Sequence, residues 1–182
     1  MSSGCGVNQP RSGELVSEGV ARATFQVRLR HTDLRDVTVL FPADESGLPV
    51  GSRLPGVVLV QGGFVKAARY QWLAERLARE GYVVALPEHL LDLAFFEVDN
   101  GLAARGLLAQ PEPGSLLDGL VDSGRLAVGG HSLGGVVAIK LALAGGFKAL
   151  LVEASFPDGA DVPALPKLEA ATLSLAARND CS

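Results

Sequence analysis

Between Arg125 and Ala144 the chain reads RLAVGGHSLGGVVAIKLALA. A strand-like apolar run enters a cluster of glycines, and a helix-like apolar run leaves it. Gly130-His131-Ser132-Leu133-Gly134 at the turn is a G-x-S-x-G pentapeptide. Nothing else in the sequence constrains the fold as much. A strand that passes into a helix through so sharp a turn holds its serine in a strained backbone conformation with Oγ projecting. Strand and helix then approach closely, so the positions two before and two after the serine must be nearly free of side chain. Gly130 and Gly134 meet that demand, and Gly129 and Gly135 add room. The first N–H groups of the helix lack intrahelical acceptors and face the same point. With 22 glycines in the chain the pentapeptide alone carries little weight; its weight comes from the strand before it and the helix after it. The competing reading is a glycine-rich phosphate cradle, but no Walker lysine follows and Lys140 stands two turns further on.

The rest of the chain supplies the setting. Residues 1 to 22 read as a loosely attached arm. Phe25, Val27 and Leu29 alternate with polar residues, and Val37, Val39 and Phe41 repeat the pattern, giving two half-buried strands. From Gly56 the texture changes. GVVLVQ and YVVAL are continuous apolar runs, as for strands buried on both faces of a parallel sheet. Between them AARYQWLAERLARE has helical spacing and closes at Gly81. NGLAARGLLAQ predicts a further helix, SLLDGLVD a short helical turn, and KALLVE and ATLSLAA two more strands. Strands alternating with helices after two antiparallel-looking strands predict an α/β fold with a mainly parallel sheet and helices on both faces. Residues 23 to 182 read as one domain without internal repeats.

Composition removes several classes of function. Lys and Arg number 16 against 20 Asp and Glu, for a net charge of −4, so no basic surplus exists to neutralise nucleic-acid phosphates. Two cysteines, Cys5 and Cys181, and three scattered histidines offer neither a disulfide scaffold nor zinc-ligand spacing. No cofactor is implied. No run reaches the length of about 18 apolar residues that reads as a membrane span. The polar MSSGCGVNQPRSGE start has no apolar signal region, so a cytoplasmic chain is expected as written. The Ser3-Gly4-Cys5 end of a lipoprotein cleavage pattern keeps export as the alternative.

Acyl transfer at Ser132 needs two backbone N–H donors for an oxyanion. One would be Leu133, directly after the serine. The other would come from a glycine-bearing loop after an earlier strand. Gln61-Gly62-Gly63-Phe64 is such a loop, with Gly63 the donor or Phe64 if the register is displaced by one. Asp180, where ATLSLAA opens into polar residues, is a candidate acid at the ligand-binding edge of the sheet; Glu153 and Asp158 compete. Phe64, Tyr70, Trp72, Phe95 and Phe96 fit either core packing or an acyl pocket.

These residues carry a family likeness. GVVLVQGGF, YQWLAERLAREGYVVALPEHL, the segment from VDSGRLAVGGHSLGG to IKLAL, and ATLSLAARND, in that order, resemble the α/β-hydrolase superfamily over about residues 35 to 180. Within it the chain is most similar to the branch of chlorophyllases, cutinase-like polyesterases and platelet-activating-factor acetylhydrolases. The resemblance implies a serine hydrolase acting on small-molecule, lipid or polymer esters, and its nucleophile-to-acid spacing favours Asp180. The relatives begin the oxyanion loop with His-Gly or Pro-Gly where this chain has Gln61-Gly62, which puts the side-chain hydrogen bonds of the loop in question. The family order of Ser, Asp and His also implies a histidine beyond Asp180, after one more strand.

The sequence ends at Ser182, so the resemblance leads to the expectation of a hydrolase lacking the last strand, the histidine and the closing helix. His131 neighbours Ser132, but such a side chain points away from Oγ. His31 falls in a turn, and His89 at the active-site edge is the remaining substitute. Two functional expectations follow: an ester hydrolase with weak turnover as this chain, or a hydrolase-derived binding module or decayed fragment. ATLSLAA as an uncovered edge strand would make the protein prone to association.

Overall fold

The computed structural model describes residues 9–29, 33–88 and 97–176. They form one eight-stranded sheet in the order β1-β2-β3-β5-β4-β6-β7-β8. Its strands are β1 Glu14–Ser17, β2 Val20–Arg28, β3 Leu34–Pro42, β4 Leu54–Val60, β5 Val83–Pro87, β6 Val121–His131, β7 Ala149–Glu153 and β8 Ala171–Leu175. The first three pair antiparallel, and β3 pairs antiparallel with β5. From β5 across β4, β6 and β7 to β8 every pairing is parallel.

Helices lie on both faces, and strand periodicity assigns residues to each. Val57 and Leu59 of β4 with Val84 and Leu86 of β5 pack on Ala74 and Ala78 of α1 (Gln71–Arg79). The alternate residues Val58, Val60, Val83 and Ala85 face a larger core with Leu108 of α2 (Glu97–Ala109) and Val137 and Leu141 of α3 (Leu133–Leu143). Each such buried Val or Leu side chain contributes about 1.5–3 kcal/mol. Helix α1 is amphipathic, its exposed side carrying an Arg76–Glu80 ion pair, and Gly81 at φ +88° ends it. Helix α3 is apolar nearly all round because it is buried nearly all round.

Two expectations need correction. Residues 14 to 22 are not a loose arm: β1 and the start of β2 form a hairpin through Glu18-Gly19, pairing Leu15 with Ala21, and Val20 and Ala21 are fully buried. The turn glycine, at φ +73°, and the cross-strand partner set this strand, and four residues of mixed polarity do not announce it. Within SLLDGLVD only turns form, and its last two residues already belong to β6.

On the α1 face the cover stops short. Beyond α1, strands β6, β7 and β8 leave an apolar groove of about 460 Å³ lined by Leu59, Leu77, Tyr82, Ala127, Leu151 and Leu173. Every residue of β8, the last strand in the sheet order, is exposed. No helix of the described residues is long and apolar enough to cross a membrane.

Candidate active site

The chain runs from β4 to β5 on one side and returns to β6 on the other, so strand order reverses at β4. In open parallel sheets such a switch point opens a crevice beyond the C-terminal strand ends. Register aligns those ends: Val60 of β4 pairs with Gly130 of β6, and Gly130 with Val152 of β7. The loop after β4, the serine turn after β6 and the segment after β7 therefore share one edge of the sheet.

Ser132 has φ 53° and ψ −124°, a conformation costly for any residue with a side chain. Its neighbours hold it there. Its N–H donates to the Glu153 carbonyl at 2.9 Å, and its own carbonyl accepts from Gly135 N–H at 2.9 Å. Ser132 is exposed and makes no capping bond to α3, so its hydroxyl is presented at the helix N-terminus. The glycines are required by contact. A Cβ on Gly130 would strike the Gly134 carbonyl, one on Gly134 the carbonyls of Val60 and Gln61, and one on Gly135 the Ser155 side chain.

The loop after β4 is equally specified. Gln61 is fully buried, and its Nε2 donates to the Pro87 carbonyl at 2.8 Å, joining the ends of β4 and β5. The question left by the Gln61-Gly62 opening is thus answered: the glutamine supplies a side-chain hydrogen bond of its own. Gly62 N–H donates to the Tyr70 hydroxyl at 3.0 Å, and Val65 N–H to the Gly62 carbonyl at 3.1 Å. Between them, the N–H groups of Gly63 and Phe64 have no acceptor among the described residues. Gly63 lies against Leu133, 2.9 Å from its Cδ2 to the place of a Cβ. The structure therefore brings Gly63, Ser132 and Leu133 together. A hydroxyl beside uncommitted N–H groups can attack an electrophile whose developing negative charge those groups hold.

Of the histidines, His131 is described; its Nδ1 shares a hydrogen bond with the Tyr70 hydroxyl at 2.9 Å. Asp180, His31 and His89 lie outside the described residues, as do Phe95 and Phe96. Among the competing acids, Asp158 is committed to Lys140 Nζ at 3.0 Å and to Ala160 N–H at 3.1 Å. Its carboxyl is held below the usual range first by that N–H and then by the ammonium. Glu153 is exposed at the end of β7, beside the serine turn. Phe64 is 81% exposed and Trp72 69%, so neither is core packing.

Comparison with known proteins agrees with this fold. The model of the "Alpha/beta hydrolase family" matches residues 56–182. The chain belongs to the alpha/beta hydrolase family. A solved structure described as "Bacterial Heroin Esterase" aligns with this alpha/beta hydrolase at a TM-score of 0.65 and 23% sequence identity, a likeness of fold. The alignment covers 78% of this chain and 46% of that one, so the hydrolase chain spans less than half the length of that esterase. No curated protein matches it.

Sequence reasoning placed Gln61 in the loop and Tyr70 in either core packing or an acyl pocket, but foresaw neither the bond of Gln61 to Pro87 nor that of Tyr70 to His131. Tyr70 stands at the end of a 3-10 turn, Ala67–Tyr70, just before α1. Its helical spacing with Leu73 and Leu77 marked it for packing, and no local pattern shows where a hydroxyl points.

Proposed function

We propose that this chain is a carboxylic-ester hydrolase working through an acyl-enzyme at Ser132. The observation that carries this reading is the strained Ser132 backbone at the N-terminus of α3, with Gly63 packed against Leu133. Ser132 Oγ adds to the ester carbonyl carbon while its proton passes to a base. The resulting oxyanion accepts from the N–H groups of Leu133 and Gly63. Collapse expels the alcohol, which takes the proton, and water then cleaves the acyl-serine by the same steps. In the scheme that the family resemblance implies, Asp180 orients a histidine that serves as this base.

The substrate class proposed is a small-molecule, lipid or polymer ester, on the resemblance to the chlorophyllase, polyesterase and acetylhydrolase branch. The esterase description of the structural neighbour supports the same chemistry. Turnover by the 182-residue chain is proposed to be slow, since among the described residues no histidine is hydrogen-bonded to Ser132, and His131 bonds instead to the Tyr70 hydroxyl. Loss of a triad member removes several powers of ten in rate while the oxyanion donors still act.

The test is p-nitrophenyl acetate with mass spectrometry of the protein. The expected result is an acetyl group on the Ser132 peptide, absent from Ser132→Ala, with slow release. Unaltered p-nitrophenol production by Ser132→Ala would overturn the assignment. Rapid turnover that disappears in both Ser132→Ala and His89→Ala would overturn slow turnover and make His89 the base.

A further inference from the structure

Three groups from two segments distant in sequence meet at one oxygen. The Tyr70 hydroxyl accepts from Gly62 N–H at 3.0 Å and shares a hydrogen bond with His131 Nδ1 at 2.9 Å. Gly62 opens the loop after β4, Tyr70 precedes α1, and His131 is the last residue of β6, directly before Ser132. A phenol oxygen has one proton and two lone pairs, so it satisfies both partners at once. Its own proton goes to a bare Nδ1, or Nδ1–H donates to it, according to the tautomer. The approach is close enough to leave little freedom. A Cβ on Gly62 would come 3.1 Å from His131 Nδ1 and 3.2 Å from the hydroxyl.

We propose that Tyr70 is a positioning residue for the oxyanion hole, its hydroxyl setting the separation between the loop after β4 and the Ser132 elbow. This rests on the ester-hydrolase reading. Two consequences of the bonding carry it. First, the hydroxyl occupies Gly62 N–H, which turns the loop so that Gly63 and Phe64 present the unengaged donors. Second, it ties that loop to the residue beside the nucleophile, so the donor on β4's side moves with the donor on β6's side. Phe64, at φ +60° and largely exposed, has little packing of its own to hold its conformation. Strained backbone of that kind persists where the surroundings over-determine it, and the Tyr70 bond to Gly62 is such a constraint. Preorganised donors matter most when the negative charge forms, so Tyr70 acts on the chemical step and leaves ground-state binding alone.

The test is phosphonylation of Ser132 by an alkyl fluorophosphonate, whose tetrahedral adduct places an oxygen in the oxyanion hole. Rate and saturation would be measured separately for the unsubstituted protein, Tyr70→Phe, His131→Asn and His131→Leu, with Ser132→Ala as background and thermal melts confirming folding. In Tyr70→Phe the maximal labelling rate is expected to fall about 10- to 100-fold with half-saturation unchanged. His131→Asn, which keeps a polar atom near the place of Nδ1, is expected to label faster than His131→Leu. Tyr70→Phe labelling at the unsubstituted rate, or the same rate for the two His131 variants, overturns the proposal and leaves the hydrolase reading standing. Labelling of the unsubstituted protein no faster than Ser132→Ala overturns that reading and this proposal with it.

Discussion

Gly130 and Gly134 meet backbone to backbone across the serine turn: a Cβ on Gly130 would lie inside the Gly134 carbonyl group. Neither residue has a flexible neighbour that could yield, because the obstacles are main-chain atoms. Gly130→Ala and Gly134→Ala are therefore expected to destabilise the protein by about 1–3 kcal/mol or more, as overpacking does. They should also displace Ser132. Urea unfolding measures the first effect and fluorophosphonate labelling the second.

Ser132 itself stores strain. At φ 53° and ψ −124° a side chain costs about 1–3 kcal/mol, whereas glycine enters the region freely. Ser132→Gly is expected to melt at or above the temperature of Ser132→Ala, reversing the usual order in which glycine is the less stable residue. Differential scanning calorimetry of the two variants decides this. Both should lose acetylation.

Burial makes Gln61 sensitive in a different way. Removing its amide by Gln61→Leu leaves the Pro87 carbonyl without its donor, which costs about 1–3 kcal/mol for a buried group. Gln61→Glu should cost more, since an ionised carboxylate cannot donate to a carbonyl and would be buried as a charge. Chemical denaturation of both variants checks the order.

The exposed last strand predicts self-association. Leu173, 57% exposed on β8 beside the apolar groove, offers a hydrophobic strand edge to another chain. Light scattering is expected to show mass rising with protein concentration, and Leu173→Lys to suppress that rise without lowering the melting temperature. A concentration-independent monomer before substitution would contradict the prediction.

Lys140 of α3 reaches Asp161 and Asp158 beyond β7, at 2.6 and 3.0 Å. The hydrogen bond to Asp161 leads in raising the lysine above its ordinary 10.5, while Asp158 is lowered from its ordinary 3.8. The lysine contribution is thus complete below 10.5 and lost as pH rises through the raised value. The Asp158 contribution is complete above 3.8 and lost as pH falls through the lowered value. The melting difference between the unsubstituted protein and Lys140→Met is expected to be flat between these limits and to shrink beyond either. Melting curves across pH measure it, and a neutral-pH slope would contradict it.

The amino-acid sequence by itself determined the local chemistry of this alpha/beta hydrolase. Continuous apolar runs specified β4 and β5, glycine spacing specified the turn at Ser132, and the alternation of strands and helices specified the parallel part of the sheet. Such features depend on neighbours a few residues apart, and spacing reports them. Tertiary structure decided what depends on distant partners. The hairpin that makes residues 14 to 22 part of the sheet exists because Leu15 finds Ala21 and because Val20 is buried. The hydrogen bond of the Tyr70 hydroxyl with His131, and of Gln61 with Pro87, joins segments that only sheet order brings together. A hydroxyl or amide serves as solvent-facing polarity or as a site constraint according to the atom it meets. That atom is fixed by register across the sheet, which no local pattern encodes.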